Sequence, residues 1–243
     1  MKDQKAFKVI MKREISAYFS SPIAYIVTGL FLVASGILFF ILNAFFITGD
    51  ASLRPFFYWL PLLFSFFIPA MTMRTIAEEK KTGSIETLLT LPVTVTDVVT
   101  GKYLGSLICG AAMLVPTLFY AVTCYVFGSP DTGSLICGYL GALFLLAAFC
   151  AIGLFATSIT KNQIIAFFVS CAVCLAITKA TWLLSYILPG SIVTFLNYFS
   201  AENHFESVTK GIIDTRDLVY FASVTVIFLA FTVRTLEKNR SSR

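Results

Sequence analysis

Residues 74–92 read RTIAEEKKTGSIETLLTLP, the one sizeable polar insertion in a chain otherwise made of membrane-length apolar runs. Glu78, Glu79, Lys80, Lys81 and Glu86 fall within a few turns, and Ile85, Leu88 and Leu89 come after them at a spacing that forms one stripe on a short helix. Thr82 and Gly83 break the helix that enters from the preceding apolar run, Ser84 is placed to cap a second helix, and Pro92 stops it. The stretch therefore predicts a helix, a tight corner and a second, amphipathic helix at a membrane surface. A solvated loop needs no apolar stripe, so the expectation is a contact surface for a soluble partner, with a helix resting on lipid headgroups as the alternative.

Composition places the rest of the chain in the membrane. Of 243 residues, 58% are hydrophobic and only 13% charged, which lies far outside the range of soluble domains. The net charge of +5 could suggest a nucleic-acid partner, but the basic residues sit at the ends of apolar runs instead of forming a patch, so none is expected. All six cysteines, Cys109, Cys124, Cys137, Cys150, Cys171 and Cys174, lie in or beside apolar segments, where a thiol acts as a small hydrophobe. The Cys171–Cys174 spacing has no second pair to complete a metal site, and neither a metal nor a disulfide framework is expected. The first apolar run is too long for a cleavable signal core.

Outward from the insertion, the runs predict an all-α integral membrane protein with six transmembrane helices in a single permease-like domain, residues 1–243. Residues 1–21 form an interfacial helix, with Phe7, Ile10, Met11, Ile15, Tyr18 and Phe19 on one face and Lys5, Lys12 and Ser16 opposite. Glu14 falls on the apolar side, and a pairing with a base in the 74–92 stretch is expected for it. Spans one and two occupy 22–73, with Asn43 able to bond across helices and Pro61 and Pro69 expected to bend the second. The coupling loop takes 74–101, and Thr94 with Asp97 gives a capping-box-like start to the third span. Spans three to five fill 102–188, and Gly138, Gly141, Ala147, Ala148 and Ala151 in the fourth permit close helix approach. Residues 189–217 form a loop holding a short helix with Ser200 as cap, Gly211 as left-handed terminator, and Phe205 and Val208 dipping into lipid. Span six is 218–234, capped by Asp214 and Asp217, and 235–243 is a basic tail.

Six spans put both termini on one side. Fourteen of the 18 Lys and Arg residues fall on that side, so the positive-inside rule makes the termini and the 74–92 stretch cytoplasmic. Acidic residues divide almost evenly and set no topology.

No phosphate-binding Gly-x-x-x-x-Gly-Lys-Ser/Thr loop, zinc-helix motif or serine elbow occurs, so any energy used must come from another subunit. The 74–92 run with Lys102-Tyr103 beyond it resembles the first cytoplasmic loop of ABC-2 type transporter permeases, and Lys12-Arg13-Glu14 before Ser21-Pro22 resembles their N-terminal interfacial helix. Residues 204–221, HFESVTKGIIDTRDLVYF, are similar to the subgroup that includes gliding-motility and copper-enzyme-maturation permeases. The likeness spans essentially the whole chain. It implies a half-sized exporter-type permease in a bacterial cytoplasmic (inner) membrane, forming a homodimer or heterodimer and binding two copies of an ABC ATPase. ATP and Mg would belong to that ATPase, with no cofactor and no catalytic residue in this chain. A non-transporting membrane scaffold for an ABC ATPase is the alternative.

On this likeness the ATPase-coupling residues are Arg74, Glu78, Glu79, Gly83, Ser84, Glu86, Leu88, Leu89 and Pro92, with Arg13 and Glu14 on the interfacial helix. Glu78 and Glu79 could equally form a solvated helix face, and Glu86 could simply complement a helix dipole. His204, Glu206 and Gly211 mark the outer, re-entrant helix, where packing or capping explains the sole histidine better than metal binding. Lys179, the one charge inside a span, lies roughly 22 Å along it. That places it near the far interface beside Trp182 and Tyr186, where it can snorkel or serve a pathway or dimer contact.

Overall fold

The computed structural model describes residues 3–43, 45–48, 52–85, 88, 93–184, 189, 192, 194, 197–211 and 214–241, and every element in them is helical. In chain order these are α1 (Asp3–Phe19), α2 (Pro22–Gly36) running on as a π-helical turn (Ile37–Leu42), α3 (Phe45–Thr48), α4 (Arg54–Thr72) and α5 (Ala77–Thr82). Next come α6 (Val95–Leu114), a 3-10 turn (Val115–Thr117), α7 (Leu118–Phe127), α8 (Thr132–Ile159), α9 (Gln163–Leu184), α10 (Ala201–Thr209) and α11 (Thr215–Ser241). Among the described residues, five helices are long and apolar enough to cross a membrane: Pro22–Leu42, Arg54–Thr82, Val95–Phe127, Thr132–Ile159 and Thr215–Arg240. The run expected as a further span forms α9, an apolar helix that carries Lys179 in its last two turns.

α8 is the hub. It packs against α4, α6, α9, α10 and α11, and Leu145, Leu146, Cys150, Ala151 and Leu154 on it are fully buried. Its small residues let neighbours approach closely: a Cβ on Gly138 would meet the Phe57 ring at 2.3 Å, and one on Gly141 would meet Val208 at 2.8 Å. The α8 start is fixed by Asp131, which accepts the Gly133 N–H at 3.0 Å.

Proline positions behave differently by context. α4 continues as one helix through Pro61 and Pro69, and within it the Ser65 hydroxyl donates to the Pro61 carbonyl at 2.8 Å and the Thr72 hydroxyl to the Ile68 carbonyl at 3.0 Å. At Pro116 the helix tightens instead into the 3-10 turn, where the Tyr139 hydroxyl donates to the Thr117 carbonyl at 2.9 Å. Asn43, expected to reach another helix, donates from Nδ2 to the Leu38 carbonyl of its own widened turn.

The bundle has two distinct ends. Near the termini, α1, α5, the start of α6 and the end of α11 come together, with Glu237 and Arg240 facing Val93–Thr96 across a shallow groove. At the opposite end α10 lies against α4, α8, α9 and α11. Phe205 and Val208 are buried there against protein, not in lipid as expected, because α8 offers glycine at the contact. Ser200 occupies the N-cap position of α10 without a side-chain cap bond, Gly211 is left-handed at φ 84°, and Asp214 accepts the Arg216 N–H at 2.9 Å.

Candidate functional site

The polar insertion folds as an elbow tied into the bundle. Beyond α4 the chain makes one turn, forms α5, and reverses at Gly83, whose φ of 75° is the left-handed conformation expected of a helix terminator. Ser84 and Ile85 resume helical geometry, and the Ser84 hydroxyl lies 3.0 Å from that of Thr82 at the end of α5; the residues it is expected to cap, Glu86 and Thr87, lie outside the described residues. Leu88 is also helical, whereas Glu86, Leu89 and Pro92 lie outside the described residues. The apolar stripe faces inward. Ile85 joins the main core, and Leu88 packs with Ile10 of α1 and Val98 of α6. The stripe thus anchors the elbow, and exposure is left to Lys81, Thr82 and Ser84.

The centre of the site is Lys102, named in the resemblance but not among the expected site residues. Lys102, near the start of α6, is 1% exposed. Its ammonium donates to Glu14 Oε2 at 3.1 Å and to the Thr75 carbonyl at 2.9 Å, and lies 3.0 Å from Glu79 Oε1 as an ion pair. Two hydrogen bonds and two carboxylates thus compensate a lysine that is out of reach of solvent. Arg13 Nη2 also donates to Glu79 Oε1, at 3.2 Å. Glu14 therefore does find a base, but on α6 instead of in the 74–92 stretch, and the loop contributes the acid Glu79. The wheel of α1 alone makes Glu14 look misplaced; its neighbours resolve this, because that face lies on α6 and not on lipid. Burial pushes the Glu14 carboxyl above its ordinary range, and Lys102 pulls in the opposite direction.

Two further ties complete the clasp. Arg74 forks onto Glu78, Nε to Oε2 at 2.8 Å and Nη2 to Oε1 at 3.0 Å, while its Nη1 donates to Ser21 Oγ at 3.0 Å at the start of α2. Lys80 Nζ donates to the Ser158 carbonyl at the end of α8. One short elbow is thereby fastened to α1, α2, α6 and α8. Close approach of α1 and α6 makes this possible: a Cβ on Gly105 would lie 2.7 Å from Glu14 Cβ, and one on Gly101 would lie 3.0 Å from Ile10. A cavity of about 380 Å³ is enclosed beside the clasp, lined by Arg13, Glu14, Tyr18, Arg74 and Glu79 among others.

At the opposite end the predicted residues are separated into three pairs. Lys179 pairs with Glu202 of α10, with its Nζ 5.8 Å from the Tyr58 ring centroid. His204 stacks on Tyr220 and places Nδ1 2.6 Å from Asp217 Oδ1 and Nε2 3.0 Å from the Tyr198 carbonyl, so it joins α10 to α11. Glu206 pairs only with the exposed Lys210, at 2.8 Å. Among the described residues, no group of three or more His, Cys, Asp or Glu side chains could hold a metal.

The clasp arranges charges to be static. Its acids are matched by bases and hold helices together, and nothing in it presents a nucleophile beside a general base. No curated protein matches the chain. A family model does: that described as ABC-2 family transporter protein matches residues 25–235, from α2 to the last turns of α11, and the chain belongs to that family, as a membrane permease component of an ABC transporter.

Proposed function

We propose that this chain is a six-span, half-sized permease that works as a dimer and takes mechanical work from a separate ABC ATPase through the α5 elbow. In this reading α9 is the remaining span, crossing with its Lys179 end at the far interface. The termini and elbow face the cytoplasm of a bacterial inner membrane, as the basic residues favour. ATP and Mg bind the partner, two copies of which serve the dimer, and the cargo moves along the pathway the permeases enclose.

The observation that carries the reading is the fastening of a single short elbow to four helices, by Arg13 and Lys102 to Glu79, Arg74 to Ser21, and Lys80 to Ser158. A push on the exposed corner at Lys81–Ser84 is delivered to the bundle as rigid-body motion instead of being absorbed by a loose loop. The corner itself, with Lys81, Thr82 and Ser84 exposed, is the docking surface. Leu88, buried in this chain, is a support for it.

A photo-crosslinking residue at position 81 or 84, expressed in native membranes, is expected to capture an ABC ATPase in a nucleotide-dependent manner. The same residue at Val126, on a lipid-exposed face of α7, serves as the control. If position 81 captures no ATPase, or captures one no better than position 126 does, the elbow is not the coupling surface.

A further inference from the structure

At the end of the bundle away from the termini, a cleft of about 790 Å³ opens between α4, α9 and α10. That volume is within the ~300–1,000 Å³ typical of small-ligand sites. Tyr58, Trp59 and Trp182 supply aromatic surface, and Lys179 lines the cleft with its Glu202 partner. The charged lining is unequal: Arg54, Lys179 and Lys210 against Glu202 and Glu206.

Lys179 is held in a way that does not depend on Glu202. Its ammonium lies 5.8 Å from the Tyr58 ring centroid, so α4 orients it as a cation on an aromatic platform. Its side chain is 26% exposed, which leaves it reachable from the cleft. Glu202 comes from α10, a nine-residue helix whose other side-chain tie, His204 to Asp217, points to a different neighbour. A preoriented cation capped by one carboxylate on a separate element, beside two further cations and two indole rings, has the chemistry of an anion site occupied by its own side chain.

We propose that this cleft binds the phosphate group of an amphiphile at Lys179, and that Glu202 is the internal carboxylate which that phosphate displaces. Phosphate suits the site better than a singly charged carboxylate because, once it displaces Glu202, Lys179 and Arg54 both face it while Lys210 stays balanced by Glu206. Trp59 and Trp182 provide the apolar surface that the rest of the amphiphile covers. Displacing Glu202 removes one of the two side-chain ties that α10 makes to neighbouring helices, so occupancy of the cleft loosens α10 from α9 while His204 still holds it to α11.

The chain's only two tryptophans, Trp59 and Trp182, both line the cleft, so intrinsic fluorescence reports its occupancy directly. The full-length protein in an uncharged detergent is titrated with dodecyl phosphate, with dodecanol as the neutral counterpart, and with inorganic phosphate. Dodecyl phosphate is expected to give a saturable change that dodecanol does not. Lys179→Met should weaken it at least about tenfold, Lys179→Arg should largely retain it, and Glu202→Gln should strengthen it about threefold by removing the competitor. Saturation by the amphiphile alone identifies a lipid headgroup as the source, and saturation by inorganic phosphate as well identifies a free anion. The proposal is overturned if Lys179→Met titrates like the unmodified protein, if dodecanol gives the same change, or if Glu202→Gln weakens binding. Should Lys179→Met melt below the titration temperature, the sign of the Glu202→Gln effect alone decides.

Discussion

Lys102 and Lys179 are both lysines embedded in apolar helices, one at each end of the bundle, and their surroundings differ in every respect that matters energetically. Lys102 is 1% exposed and meets two carboxylates and a carbonyl from three separate segments, so its charge is compensated from several sides at once. Lys179 is 26% exposed and has one carboxylate, one ring face and a cleft beside it. A closed site cannot exchange partners without losing the fold around it, whereas an open one can. The permease thus places its closed ionic joint at the end near its termini and its more open pair at the far end.

The sharpest way to break this contrast is Lys102→Met. The substitution keeps most of the side-chain volume but leaves Glu14 and Glu79 buried together without their shared cation, and such unpairing costs about 3–5 kcal/mol. A large fall in the melting temperature of the detergent-solubilised protein is expected, and in vesicles the partner's ATP hydrolysis should no longer respond to the permease. Lys179→Met, with a reachable and partly hydrated Glu202 left behind, should melt much closer to the unmodified protein. Equal losses would mean that the two lysines are energetically alike, and the contrast would fail.

Gly105→Ala comes next. Its new Cβ would lie 2.7 Å from Glu14 Cβ, an atom fixed to the α1 backbone that cannot swing away, so α1 and α6 must separate. Overpacking of this kind costs about 1–3 kcal/mol. Because separation also lengthens the Lys102–Glu14 contact, the double variant Gly105→Ala with Lys102→Met should lose less than the sum of the two, measured as melting shifts.

Much of both ends was legible in the sequence. The break at Thr82–Gly83, the cap at Thr94, the close approach at Gly138 and Gly141, and the left-handed Gly211 arise from local residue chemistry and stand in the structure. What local chemistry could not give was partnership. Glu14 on an apolar face signalled that some base was near, but Lys102 is 88 positions away in the chain and sits in a run that reads as membrane. The signal was present in Gly101-Lys102-Tyr103-Leu104-Gly105, two glycines four apart flanking a lysine, which permits close helix packing around a charge. Ile85 and Leu88 mislead for the same reason: an apolar stripe shows that something covers it, and the sequence does not say whether the cover is a partner protein or α1.

Acidity sharpens the comparison further. Burial raises the Glu14 carboxyl, so the folded protein holds a proton that the unfolded chain gives up. The resulting stability is fully present below the ordinary glutamate range and is lost as pH rises through the folded value. Glu14→Gln removes this dependence. The melting advantage of the unmodified protein over Glu14→Gln should therefore widen as pH falls from about 7.5 to about 5. If it narrows, attraction to Lys102 outweighs burial and the clasp behaves as an ordinary salt bridge.

The smallest effect belongs to Lys210, and its smallness is what gives the larger numbers their meaning. Lys210 and Glu206 form an i,i+4 pair at 2.8 Å, a distance as short as any ion pair in the clasp, but their side chains are 57% and 55% exposed. Water solvates both charges almost as well apart as together, so Lys210→Ala should shift stability by no more than about 0.5 kcal/mol. Distance alone would rank this pair with Lys102–Glu79; burial ranks them far apart. If Lys210→Ala lowered the melting temperature as much as Lys102→Met, the cost of the clasp variant could not be assigned to stranded buried charge, and the separation of a closed joint from an open cleft would lose its physical basis.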